Sequence, residues 1–300
     1  PDLVGFNMPY SNLGIVDSWG WEVSLKWNDK INKNFRYWAT LNLSNNKNKI
    51  IEKKEAPFNN MYQYEKNHRI GARYMYKFFR FYDADTPRLY EETFGTPFPK
   101  QLVDLKDGDA VFVDLDRNGV IDGNDKTREL GYTDDPEYMA GLSFGFSYKD
   151  IEFSSQWTGA WNVSRIISDV FRYPFIDRTT KDRGGLLKYH LDNTWNPENP
   201  GQNYEYPRAS WSHGDVNNYQ DCSLYEKDAK YLRLKTLMIA YNMHFTFLKK
   251  LGVTRAQMAL SGYNLLTFTP YIWGDPETRA SVSPSYPLQK TYTISLNLNF

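Results

Sequence analysis

The sequence predicts an all-β protein: a run of antiparallel strands from a membrane-spanning β-barrel. Three observations carry that prediction. Residues 291–300 alternate without a break, with Tyr292, Ile294, Leu296, Leu298 and Phe300 on one face and Thr291, Thr293, Ser295, Asn297 and Asn299 on the other. Such a strand is apolar on one side and wet on the other. The connections between strand-like stretches alternate short and long along the chain, the asymmetry of up-and-down membrane barrels with tight inner turns and long outer loops. Aromatic residues make up 17% of the chain, with 23 Tyr, 18 Phe and 9 Trp. That exceeds the needs of a soluble core and suits membrane girdles or sugar-stacking surfaces.

Composition narrows the class further. The balance of 36 basic against 36 acidic residues gives no net field toward nucleic acid. A single cysteine, Cys222, permits no internal disulfide framework. No apolar run approaches the roughly 18 residues of a membrane helix, which excludes a helical membrane protein but not a barrel, whose strands spend half their residues on a polar lumen. The chain opens at Pro1 without a targeting segment and is expected to be a piece of something longer.

In order, residues 1–18 are irregular, and 19–27 alternate with Trp21, Val23, Leu25 and Trp27 on one side. The polar stretch 28–34 reads as a hairpin turn. Phe35, Tyr37, Ala39, Leu41 and Leu43 form the apolar face of its second strand. A long polar stretch, 45–137, contains one strand-like run, 69–79, with Ile70, Ala72, Tyr74 and Tyr76 on a face. As a membrane strand that run would break the parity of the connections, so it is assigned to the loop. Residues 138–148 and 151–161 form a tight hairpin through Lys149-Asp150, and a second long stretch covers 162–229. Strands at 231–243 and 255–266 join through a basic turn around Lys249, Lys250 and Gly252, and a last loop, 267–288, leads to the closing strand. The expectation is one domain, 1–300, with about seven membrane strands and extracellular loops at about 45–137, 162–229 and 267–288. No charge sits on the apolar face of the strands starting at 138 and 291, where Lys or Arg would cost roughly 2–4 kcal/mol at mid-membrane.

The sharpest local motif is Asp114-Leu115-Asp116-Arg117-Asn118-Gly119-Val120-Ile121-Asp122-Gly123-Asn124-Asp125. It fits a twelve-residue calcium loop, with side-chain oxygens from Asp114, Asp116, Asn118, Asp122 and Asp125, and the Val120 carbonyl at position 7. Gly119 falls where the loop turns sharply and needs a positive φ, and Ile121 is the apolar residue such loops tuck inward. Four carboxylates at this spacing repel one another unless a hard cation sits among them. Position 12 is Asp where EF-hands favour Glu, as in dockerin-type loops, and no amphipathic helices flank it. The expected cofactor is one structural Ca2+; the competing reading is a solvated acidic turn.

The loop around Trp195, Pro197, Pro200, Tyr204, Tyr206, Pro207, Arg208 and Trp211 suits sugar stacking, a protein lid, or simple self-packing. His68, His190, His213 and His244 show no metal or triad spacing, Asp134-Asp135 is an acidic turn, and Cys222 is expected to be buried and inert. No phosphate loop or nucleophile elbow is present, so no enzyme is expected.

The calcium-like segment followed by Gly131-Tyr132-Thr133-Asp134-Asp135-Pro136-Glu137, the 195–200 and 207–208 stretch, Asp228-Ala229-Lys230-Tyr231-Leu232-Arg233-Leu234-Lys235, Leu260-Ser261-Gly262-Tyr263-Asn264-Leu265-Leu266-Thr267 and Tyr286-Pro287-Leu288-Gln289-Lys290-Thr291-Tyr292 occur in that order. Together with Gly14-Ile15-Val16-Asp17-Ser18-Trp19-Gly20-Trp21-Glu22-Val23, this set resembles the C-terminal part of SusC/RagA-family TonB-dependent transporters. The resemblance spans essentially the whole chain. It implies the last third, or about that, of a 22-stranded plugged barrel in a Bacteroidetes-type Gram-negative outer membrane. It also implies import of glycans or peptides under a SusD-like lipoprotein lid. TonB would act through a region outside this chain, the N-terminal plug and remaining strands would complete the barrel, and lipid would surround it. The terminal Phe300 would be read by barrel-assembly machinery. The alternative is a soluble carbohydrate-binding module or glycoside hydrolase with a structural calcium site.

Overall fold

The computed structural model describes residues 12–167, 171–175, 185–209, 217–244, 252–278 and 287–300. Trp211, His213, Lys249, Lys250 and Tyr286 lie outside the described residues.

Two long strands open the chain, β1 (Gly14–Asn32) and β2 (Phe35–Lys53). The first long connection holds β3 (Met75–Tyr76), β4 (Phe78–Phe81), α1 (Thr86–Phe94), β5 (Ala110–Phe112) and β6 (Lys126–Thr127). The hairpin β7 (Tyr138–Tyr148) and β8 (Ile151–Trp161) follows. Then come β9 (Ser164–Ile166), α2 (Lys188–Asn193) and β10 (Glu226–Asp228), before β11 (Tyr231–Met243), β12 (Arg255–Phe268) and β13 (Thr291–Asn299). Seven strands form one sheet in the order β1-β2-β7-β8-β11-β12-β13, each antiparallel to its neighbours. The long connections therefore all leave the same end of the sheet. Among the described residues no helix is long and apolar enough to cross a membrane.

The register turns seven separate alternations into one apolar face. Val23 and Leu25 stand opposite Leu43 and Leu41, and Leu41 opposite Leu142. Leu142 meets Trp157, Phe153 meets Ile239, Ile239 meets Leu260, and Leu260 meets Ile294. This face is exposed, as Leu25 at 58%, Leu260 at 53% and Ile294 at 77% show. Water would penalise so wide an apolar surface, whereas lipid welcomes it. Aromatic residues border it: Tyr138 stacks on Trp161 toward the long-loop end, while Phe35, Phe146 and Phe153 cluster with Tyr148 toward the short turns. The opposite face carries Ser24, Thr40, Ser143, Gln156, Ser261 and Ser295, the small polar lining of a lumen.

The structure moves several boundaries. β1 begins at Gly14 rather than 19, and β2 runs to Lys53, so the first long connection starts at 54 rather than 45. The added length is held by backbone pairing between 14–20 and 46–53, which Asn and Lys side chains do not advertise as alternation. Gly20 permits it, because a Cβ there would lie 2.1 Å from the Asn45 carbonyl oxygen. The expected turn at 28–34 shrinks to Lys33-Asn34, with Asn32 Oδ1 accepting from the Asn34 and Phe35 amides. Residues 69–74 are not strand; only β3 and β4 form there, outside the seven-stranded sheet. β12 extends to Phe268, so the last connection starts at 269 rather than 267.

In β11 the apolar side changes parity, from Leu232 and Leu234 to Leu237, Ile239 and Tyr241. A register shift between Leu234 and Thr236 absorbs Lys235, and β12 spends Asn264 and Leu265 opposite it, Asn264 with φ 54°. This bulge keeps both halves of β11 apolar toward the same side.

Candidate cation site and the loop layer

The long connections do not hang loose. Tyr76, Ala110, Phe112 and Ile121 from the first, Val163, Ile167, Tyr206, Cys222, Tyr225 and Ala229 from the second, and Tyr271 and Trp273 from the third share one buried core. The aromatic loop is part of it: Trp195 is buried, and Tyr206 donates to the Phe171 carbonyl and accepts from the Trp273 indole. Self-packing, and not an open stacking platform, is the use the fold makes of those two rings. His190 is also fully buried, and Cys222 is buried with its thiol pushed up to about 11 by loss of water.

Within this layer the acidic loop runs between β5 and β6. Gly119 takes φ 84° and Ile121 is buried in the shared core. Asp114 accepts from the Arg117 and Gly119 amides at 2.6 and 2.8 Å, and Asp125 from the Leu115 and Asp122 amides at 2.8 Å each. Asp116, Asn118 and Asp122 accept from the Asn118, Val120 and Asn124 amides in turn. The backbone thus wraps inward around its own oxygens. Carboxylate oxygens of Asp114, Asp116 and Asp125 all lie within 4.8 Å of one another. Asp122, three residues before Asp125, stands outside that triad, with its carboxylate on the Asn124 amide and side chain.

Burial and the neighbouring acids both act on the triad. Asp125, fully buried, is pushed up to about 6, first by loss of water and then by Asp114 and Asp116. Asp116 is raised too, first by loss of water and then by Asp114 and Asp122. The amides that favour its charge do not offset this for Asp125. A hard divalent cation is the chemical species that such crowded oxygens accommodate. The supports of the loop come from far along the chain: Tyr62 donates to the Asn124 carbonyl, and Gln63 and Tyr74 to that of Gly123.

Two ionic clusters tie the layer together, and sequence reasoning does not find them. Arg73 reaches Glu226 at 2.9 Å, Asp134 at 2.8 Å and the Ser164 hydroxyl at 2.7 Å. Gly131 makes room, since a Cβ there would overlap the Glu226 carboxylate. Buried Arg233, on the lumen side of β11, reaches Asp275 at 2.9 Å and Glu277 at 3.1 Å, and Lys235 meets the same Glu277 at 2.7 Å. Arg165 donates to the carbonyls of Pro276 and Thr278. Residues 269–278 are thereby strapped across the inner wall. Partners some forty or more positions apart leave no local spacing to read.

No protein-family profile matches the chain. It is 29% identical over 322 residues to TonB-dependent receptor P26 of Formosa agariphila, covering all of this chain and 31% of the relative. TonB-dependent receptor P3 of the same organism is 26% identical over 325 residues, again over the whole chain and 30% of the relative. The chain thus spans under a third of the length of these relatives. Its fold matches the RagAB peptide importer in its open-open state with a TM-score of 0.70 at 22% identity, covering the whole chain and 30% of that structure. The closed-closed state gives 0.68 at 23% identity. Over its whole length the chain is thus similar in sequence to part of these TonB-dependent receptors, and it shares the fold of part of the RagAB structures.

Proposed function

We propose that this chain supplies lumen wall and outer loops to a TonB-dependent outer-membrane importer of peptides or glycans, and catalyses no bond-making step. The observation that carries the reading is the continuous apolar face of seven strands beneath one packed loop layer. A soluble glycan-binding module has no use for such a face. The RagAB match, a peptide importer, supports peptides as one substrate class. The layer built by 54–137, 162–230 and 269–290 is the extracellular seat for a SusD-like surface lipoprotein. TonB acts through a part of the protein outside this chain, as do the plug and the remaining strands. The test is uptake of labelled oligopeptides and oligosaccharides by intact cells. Deleting the full-length gene should abolish uptake of one class, as should disabling TonB. Unchanged uptake of both classes in the deletion would end the proposal.

Asp114, Asp116, Asn118, Asp122, Asp125 and the Val120 carbonyl are the proposed ligands of one structural Ca2+, which supplies the positive charge the buried carboxylates lack. Because β3, β6, Tyr62 and Tyr74 lean on this loop, the ion steadies the first long connection. Chelation of the full-length protein should speed proteolysis within 54–137 while the heat-resistant barrel survives, and added calcium should reverse it. Asp114→Asn/Asp125→Asn should be cleaved at the chelated rate with or without calcium. Identical cleavage of the native protein in calcium and in chelator would show that no structural ion is bound there.

A further inference from the structure

We infer that the outward face of the β1–β2 hairpin, just above the apolar band, docks the phosphate groups of an anionic lipid leaflet. The register places Asn45, Lys47 and Lys49 on the same side of β2 as Leu41 and Leu43, opposite Trp21, Trp19 and Asp17 of β1. The band ends in a ring of aromatics at the level of Trp21 and Tyr138, since Asn45 pairs with both. With a rise of about 3.3 Å per residue and a tilt of about 45°, Lys47 stands ~5 Å and Lys49 ~9 Å beyond that ring. Lipid head groups occupy roughly 5–8 Å on each side of the hydrocarbon. Lys47 thus stands at head-group height, and Lys49 just above it on a stem long enough to reach back to polar phosphates.

Their surroundings leave them available. Lys49 makes no ion pair among the described residues, and Asp17 is the acid across the ladder from it. Lys47 lies 6.0 Å from the Tyr138 ring and 3.7 Å from Glu137. Glu137 is already held by Arg69 at 3.1 Å and by the Asn162 amide at 2.9 Å. Farther out, Lys54 pairs with Glu52 at 3.5 Å. At the opposite rim of this hairpin the outward positions of β1 are Asp29 and Ile31, so within β1 and β2 the cationic column belongs to the long-loop end. Charge complementarity thus points to one leaflet and to phosphate as the group met there.

The inference rests on the membrane placement, and not on import. The full-length protein is placed in nanodiscs of phosphatidylcholine with or without phosphatidic acid, and the lipids it retains are counted by native mass spectrometry. Wild type should retain phosphatidic acid preferentially. Lys47→Gln/Lys49→Gln should lose about fivefold of that preference per lysine, and Lys47→Arg/Lys49→Arg should keep it. Lys26→Gln, whose side chain faces the lumen opposite Thr40, should change nothing. An unchanged preference in the Gln pair, or an equal loss in Lys26→Gln, overturns the inference while leaving the barrel intact. Displacement of phosphatidic acid by inorganic phosphate would overturn it in favour of a free-anion site. Failure of the wild type to enter the discs would refute the membrane placement itself.

Discussion

Leu296→Lys is expected to remove most of the folded barrel from the outer membrane, while Ser295→Lys leaves yield close to wild type. Leu296 pairs with Met258 on the apolar face, and Ser295 with Ala259 on the lumen face. The two positions are one residue apart, with the same strand, depth and chemistry of substitution. Only the side differs. A lysine held against lipid near mid-membrane costs roughly 2–4 kcal/mol, and toward the lumen it costs little. Heat-modifiable barrel in outer-membrane fractions of the full-length protein measures the difference. Equal yields from both variants would mean that this face of β13 does not meet lipid, and the membrane placement of the sheet would lose its main physical support.

Arg233→Ala should release the strap formed by 269–278. The guanidinium is 2% exposed and ties Asp275, Glu277 and the Thr267 hydroxyl to the wall. Without it, Asp275 stays in a pocket with 10% of its side chain exposed and no cation. Removing one partner from such a buried pair costs about 3–5 kcal/mol, because the remaining charge has lost its compensation. Amide hydrogen exchange within 269–278 should then rise by two orders of magnitude or more. Arg233→Lys should rescue only part, since an ammonium cannot span both acids with a fork. Native exchange rates in the Ala variant would show that Tyr271, Trp273 and the contacts of Arg165 and Lys235 anchor the segment without it.

The wall was legible because it obeys a two-residue period: 138–148, 151–161 and 291–299 match their strands almost to the residue. Where a strand is held by backbone pairing alone, as in 46–53, polar side chains hide it. In β11 a single extra residue, Lys235, reverses the parity, and only the neighbouring strands reveal that the face is conserved. The turn of the acidic loop was legible from its spacing, since the positive φ of Gly119 and the burial of Ile121 are set by local geometry. Its buttresses at Tyr62 and Tyr74, and the Arg73 and Arg233 clusters, depend on which distant segments meet. Nothing local encodes that.

The core shared by the three connections makes each depend on the other two. Tyr76 and Trp273 belong to one buried cluster although they are about 200 residues apart in the chain. Tyr206 meets its indole partner only where the connection before β11 and the one after β12 lie side by side, which the pairing of β11 with β12 arranges. Without that pairing Tyr76, Phe112 and Tyr225 lack part of their cover. The loop layer therefore closes only when all three connections are assembled over paired β2 to β12, and a sheet lacking β12 would leave that layer sticky and open to protease.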